Sequence, residues 1–400
     1  MAFYRRVGEV PAKRHAAFRR PDGGLYAEEL VGEEGFSSDS SLLYHRHPPT
    51  AILKAEAVAE DPVSRATTPN LPLVPRHLHT HQLSTGGDVV TGRQLLLANE
   101  DVRISYLAAE AASELYRNAI GAEIVYVESG SARLETSYGV LDVVAGDYAV
   151  IPTSTTHRWL PRESPLRALV VEARGHVHPP RRYLSPYGQL LEHAPFCERD
   201  LRGPDEPLLA EDAEVPVLVR HRAGLTRYTY AHHPFDVVGW DGYLYPYLFS
   251  IHDFEPIVKR FHAPPPVHQT FEGPNFVVCS FCPRPFDFDP TAIAVPYNHA
   301  NVDSDEVLFY VGGDFMSRKG AGIGPGSISL HPAGFIHGPQ PGSVEAALGK
   351  PGTDELAVMV DTFRPLELGP AAVECADPEY PWTWARAATA GDADHPGLSH

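Results

Sequence analysis

Three side chains in the second half of the chain, His299, Glu306 and His337, are of the types that bind a catalytic transition metal. Two imidazoles and one carboxylate on one face of an octahedral ion leave up to three positions open for substrate and dioxygen, the facial arrangement of non-haem Fe(II) oxygenases. A structural zinc site closes its tetrahedron instead, commonly with thiolates. No cysteine lies among these residues. Imidazole and carboxylate are not themselves redox-active, so oxygen chemistry would have to come from the ion, which favours Fe(II) over zinc.

The residues around them repeat a pattern. His299 and Asn301 precede Glu306 and Gly313; then Gly326, Pro332 and Gly334 precede His337. This matches the two-part signature of the cupin superfamily, with Asn301 in place of the second histidine of the usual HxH pair. The first half carries a degenerate copy, with Tyr116 and Asn118 where the histidines would stand, followed by Glu123, Gly130, Gly146, Pro152 and His157. Cupin motifs lie on neighbouring strands and converge inside a barrel although they are far apart in sequence. Two tandem barrels follow, with only the second equipped for metal. Glu123 and His157 read as a satisfied surface pair.

Other polar clusters carry less. His77, His79 and His81 in RHLHTHQ would share one face of a strand, but no carboxylate or glycine framework adjoins them. His45 and His47 suit a surface or subunit contact. His232 and His233, adjacent in the chain, would point in different directions. Cys279 and Cys282 form a lone CxxC, whereas a structural zinc site needs a second pair of ligands. Buried or structural thiols are expected there.

The elements that must position the ligands are short strands. Runs such as EIVYVESG, DYAVIPT, NFVVCSF, EVLFYVGG and LAVMVDTF are β-branched or alternating and are bounded by turn residues. With 39 prolines and 33 glycines the chain leans away from long helices. The expected class is all-β, a bicupin of two β-barrel or jelly-roll domains. Residues 1–245 form an N-terminal β-rich domain with a degenerate cupin core at about 101–175 and a connector over about 176–245. Residues 246–365 form the catalytic cupin, and 366–400 a tail whose last dozen residues are mobile. The formal charge of -18, from 33 basic and 51 acidic residues, opposes nucleic acid and anionic membranes and leaves a small-molecule substrate. No apolar run is long enough to cross a bilayer and the first residues lack a secretory pattern, so a cytoplasmic address is expected.

Beyond the motifs, the segments GEVPAKRH, LYAEEL, GFSSDSSLLYHRHPPT, CSFCPRPFD and SLHPAGFIHGPQPG resemble a bacterial branch of homogentisate 1,2-dioxygenase over nearly the whole chain. The resemblance implies Fe(II) held by His299, Glu306 and His337, O2 as co-substrate, and a homo-oligomer built as a trimer or hexamer. It makes His331 an active-site histidine that holds the substrate, and His252 in LFSIHDFEP the acid or base towards a substrate hydroxyl. Neutral imidazole suits both roles, with one donor, one acceptor and an ordinary pKa near neutrality. The implied reaction opens the ring of a 1,4-dihydroxybenzene bearing an acidic side chain. Two positions depart from the family pattern. Ala300 follows the first ligand where the family has arginine, with one extra residue before Glu306, and Phe315 stands where a tyrosine is usual. Gentisate or another hydroquinone acid therefore stays open as substrate. A non-catalytic ligand-binding bicupin and a metal-dependent isomerase are the rival readings.

Overall fold

Alternation of side chains decides how the ligand-bearing strand sits. Along Asp305–Gly312, Glu306, Leu308 and Tyr310 point to one side, and Val307 and Phe309 to the other. Leu308 and Tyr310 pack with Val277, Cys279, Ala357 and Met359 in a small apolar cluster. Val307 and Phe309 belong to a much larger core shared with the rest of the chain. The strand is thus buried on both faces.

The structure, a computed structural model, describes residues 3–58, 66–258, 265–295, 297–318 and 320–385. It is all-β, as the sequence indicates; among the described residues the α-helical stretches are two five-residue pieces, Ser343–Ala347 and Pro370–Glu374, and residues 383–385. None of the helices is long and apolar enough to cross a membrane. A six-stranded antiparallel sheet carries Glu306, in the order Gln269–Gly273, Phe276–Phe281, Leu356–Thr362, Asp305–Gly312, Ser327–His331, Arg76–His79. A thirteen-stranded sheet is built mainly from the first half. A four-stranded sheet joins Arg5–Gly8, Val237–Gly242, Ser40–His45 and Ala27–Gly32. The two larger sheets share aromatic packing: Tyr106 and Tyr126 lie 6.1 and 6.3 Å from Phe309, and Tyr148 lies 5.4 Å from Phe271.

The expected boundary at residue 245 is crossed in both directions. Arg76–His79 pairs with Ser327–His331 and completes the second sheet, covering an edge that would otherwise present unpaired backbone. Tyr247–Ser250 pairs with Asp147–Ile151 in the first sheet. The expected connector contains a hairpin, Val215–His221 with Gly224–Tyr230, whose second strand also pairs with Ile52–Val58. The expected tail is folded as far as residue 385. Glu367–Leu368 pairs with Gln94–Ala98, and Tyr380 is fully buried. The last dozen residues lie outside the described residues.

The internal repeat survives as equivalent strand pairing. Glu123 stands opposite Ile151 on one neighbour and Glu172 on the other. Glu306 stands opposite His331 and Asp361 in the same way. In the first copy, however, Arg93 fills the centre. Its guanidinium makes two 2.9 Å bonds to the Glu123 carboxylate and reaches Glu172 at 3.0 Å. Asn118 adds a bond of 2.8 Å to Glu123. Glu123 and His157 are therefore buried, contrary to the surface pair expected of them. The carboxylate is satisfied by a permanent internal cation.

Replacing Arg93 by methionine would leave buried Glu123 without a cation, while Glu172 keeps Arg220. The expected loss is about 3–5 kcal/mol, read as a lower denaturation midpoint with an unchanged circular dichroism spectrum before melting.

Candidate metal centre

Glu306 is the second residue of its strand, so its position is fixed by two ladders. His299 and His337 come from irregular segments, and main-chain bonds bring them together. The His299 amide donates to the His337 carbonyl at 2.7 Å, and the His337 amide donates to the His299 carbonyl at 2.8 Å. Gly334 donates to the Asn301 carbonyl at 2.7 Å, extending the clamp. Asp305 holds the same loop from below by accepting from Ala333 at 2.8 Å and from Leu366 at 2.7 Å.

The result is a compact donor set, with one atom each from His299, Glu306 and His337 lying within 4.8 Å of one another. His299 Nε2 is 3.6 Å from Glu306 Oε2, and His337 Nε2 is 3.4 Å from Oε1, both longer than a good hydrogen bond. His337 Nδ1 lies 3.0 Å from the Phe335 carbonyl, so that nitrogen carries the proton and Nε2 keeps its lone pair. That Nε2 is buried with no hydrogen-bond partner. An orphaned lone pair aimed beside an ionised carboxylate and a second imidazole fits a divalent cation. Burial opposes ionisation of Glu306, but the imidazoles of His299, His331 and His337 around it hold its carboxyl well below the usual range.

His331 is close by but has no free nitrogen. Nδ1 donates to Glu306 Oε1 at 2.9 Å, and Nε2 accepts from the Tyr380 hydroxyl at 3.1 Å. Burial, then the charge of Arg318, pushes its pKa down to about 3, which keeps the ring neutral as this pattern requires. Fully buried and stacked 4.1 Å from the His337 ring, it orients the carboxylate. The substrate-holding role expected of it does not match this placement.

A cavity of about 280 Å³ opens on the donor set. Phe281, Leu308, Met359 and Tyr297 give it apolar walls; Asn301, His268, Arg284 and Arg318 give it polar points. His252 is not among the lining residues. It sits exposed on the turn Ile251–Asp253, with its ring over Gly146 of the first sheet. Among the described residues the cavity histidine outside the donor set is His268, which the sequence reading missed. Its ring lies 4.6 Å from Phe281, its Nδ1 is buried without a partner, and burial, then Arg284, lowers its pKa to about 3. Only its place after PPPV, immediately before the strand Gln269–Gly273, could have marked it. Phe315 packs edge-on to Tyr310 at 5.0 Å and does not line the cavity.

The remaining clusters separate. His77, His79 and Asp377 form a second possible donor group, supplied with a carboxylate from the folded C-terminal segment. His81 binds Glu128 at 2.7 Å instead. His47, Asp212 and His232 also lie together, but the two rings stack in parallel at 4.0 Å, so their lone pairs do not converge on one point. His45 is held by Asp236 at 2.6 Å and Glu29 at 2.9 Å. Cys279 and Cys282 are buried free thiols, and burial pushes Cys282 up to about 12, which makes it a poor nucleophile or ligand.

Comparison with known proteins places this geometry in context. Residues 6–251 match the family model described as homogentisate 1,2-dioxygenase N-terminal. A Saccharolobus solfataricus protein that carries a provisional dioxygenase name is 40% identical over 390 residues, covering 96% of this chain and 99% of that one. Homogentisate 1,2-dioxygenase of Emericella nidulans is 27% identical over 374 residues, covering 85% and 80%. The enzyme of the same name from Rhodopseudomonas palustris is 26% identical over 371 residues, covering 83% and 78%. A solved structure, the cupin 2 conserved barrel domain protein from Leptotrichia buccalis, has TM-score 0.31 at 10% identity over 73% of this chain and 97% of that chain.

Removing either imidazole should abolish metal retention: His299→Ala and His337→Ala are expected to emerge from iron-replete purification without stoichiometric metal. His331→Phe keeps all three donors but frees Glu306, and should weaken binding about 10–100-fold. Anaerobic titration with Fe(II) distinguishes the two outcomes.

Proposed function

Because the chain belongs to the homogentisate 1,2-dioxygenase family and is a dioxygenase, we propose that it opens the aromatic ring of a hydroquinone acid, homogentisate or a close relative such as gentisate. The observation that carries the proposal is the convergence of His299, Glu306 and His337 at an apolar cavity. Fe(II) held by these residues would supply the electron transfer to dioxygen that no side chain here can provide.

The protein's own part is positioning. Phe281, Leu308 and Met359 give the ring dry walls, which suits a single aromatic ring. His331 and the Phe335 carbonyl fix Glu306 and His337, so the centre does not have to reorganise. His268 lines the cavity, and burial, then Arg284, lowers its pKa to about 3, so it faces the ring as a neutral imidazole. His252, exposed beside Gly146, is not placed for the acid or base role expected of it. Both atoms of O2 enter the product and no external reductant is consumed; from homogentisate the product is maleylacetoacetate, a step in tyrosine and phenylalanine breakdown. A trimeric or hexameric assembly belongs to the same proposal.

Protein loaded anaerobically with Fe(II) should consume O2 stoichiometrically with homogentisate or gentisate and form a ring-opened product seen in its ultraviolet spectrum. Absence of uptake with every hydroquinone acid tried would leave a ligand-binding or isomerising protein. Turnover without O2, tolerant of zinc, would identify the isomerase.

A further inference from the structure

Arg318 is 5% exposed, lies on the wall of the cavity and has no carboxylate in ion-pair contact among the described residues. Its partners are neutral. Nε donates to the Tyr310 hydroxyl at 3.3 Å, Nη1 donates to the Gly338 carbonyl, and the guanidinium lies 6.0 Å from the Trp384 ring. No acceptor among the described residues holds Nη2. A buried guanidinium without a counter-ion is costly unless something supplies negative charge.

Three carboxylates at the cavity have partners other than Arg318. Glu355 is paired with Arg284 at 3.3 Å, and Asp314 with Lys350 at 2.7 Å. Glu306 is bonded to His331 and turned towards His299 and His337. Asp361 stands opposite Glu306 across the sheet and is in no ion pair with Arg318 among the described residues. The Arg318 guanidinium therefore keeps an edge without a paired counter-ion among the described residues. Its location is specific as well, because the Gly338 carbonyl it holds belongs to the residue after His337.

We propose that Arg318 is the anion anchor of this cavity, binding the carboxylate of a single-ring aromatic acid while the ring hydroxyl faces His299, Glu306 and His337. This rests on the ring-cleavage reading of the same cavity and makes it more definite: the carboxylate is a recognised group, and a neutral hydroquinone is a poor ligand. A planar guanidinium with a free amine edge suits a carboxylate better than a lysine ammonium does.

The test is anaerobic calorimetric titration of the Fe(II)-loaded full chain with 2,5-dihydroxyphenylacetate, 2,5-dihydroxybenzoate and the neutral 2,5-dihydroxyphenylacetamide. At least one acid should bind about ten- to a hundredfold tighter than the amide. Arg318→Met should bring acid and amide to within about twofold by weakening the acid alone, and Arg318→Lys should restore part of the preference. Equal binding of acids and amide by the parent protein overturns the proposal. So does Arg318→Met with the preference intact. If Arg318→Met does not fold, the parent ratio and Arg318→Lys still decide. Oxygen uptake is recorded separately. Acid-selective binding without uptake would sink the ring-cleavage reading and leave the anchor standing; uptake with no acid preference would do the reverse.

Discussion

A carboxylate buried between strands has to be given positive charge, and the two halves of this chain meet that demand differently. At Glu123 the answer is built into the chain and permanent: Arg93 closes on it with both arms of its guanidinium. At Glu306 no arginine among the described residues reaches the carboxylate, and three imidazoles surround it. Imidazole offers a lone pair as readily as a proton, so the second position can admit an ion where the first cannot. Most of the surrounding architecture follows from this difference. His331 is kept neutral so that it can donate to the carboxylate, and Tyr380 is buried so that the far side of His331 has a donor of its own.

The interlocking of the two halves serves the same centre. Arg76–His79 forms the outer strand next to Ser327–His331, so a segment from early in the chain supports the strand that ends at His331. Residues 366–385 then return over both sheets, pairing with Gln94–Ala98 and bringing Tyr380 to His331. Apolar packing between the sheets makes a single core of what the repeat describes as two units. The histidine orienting Glu306 therefore depends on three widely separated stretches of sequence.

Much of this was legible in the sequence, for identifiable reasons. The donor set could be read because glycines and a proline at fixed spacing mark the turns that bring it together; Gly313, with φ of +83°, would bring a Cβ to 2.0 Å from the Asp354 carbonyl. The strands themselves were readable from alternation, including Asp305–Gly312 and Leu356–Thr362. Partnership between distant strands was not readable, since backbone pairing leaves no compositional mark. Hence Arg76–His79 looked like a histidine cluster, and residues 366–385 looked like a tail. Arg93 and His268 were invisible for a related reason, because a lone arginine or histidine shows its function only once its neighbours are known. His252 lies on the other sheet from the donor set, a placement that local text could not convey.

The reciprocal main-chain bonds between His299 and His337 bear on how this fold can vary. Two of the three donors are hung from each other's backbone and Asn301 is tied to Gly334, so the slack between His299 and Glu306 is confined to the residues between Asn301 and Asp305. Lengthening it by one residue, or exchanging the side chain at Ala300, need not shift either imidazole. Relatives can thus differ freely in that span while the distance between donors stays the same, and spacing along the chain is a poorer guide to kinship here than the pairing that ties the two loops.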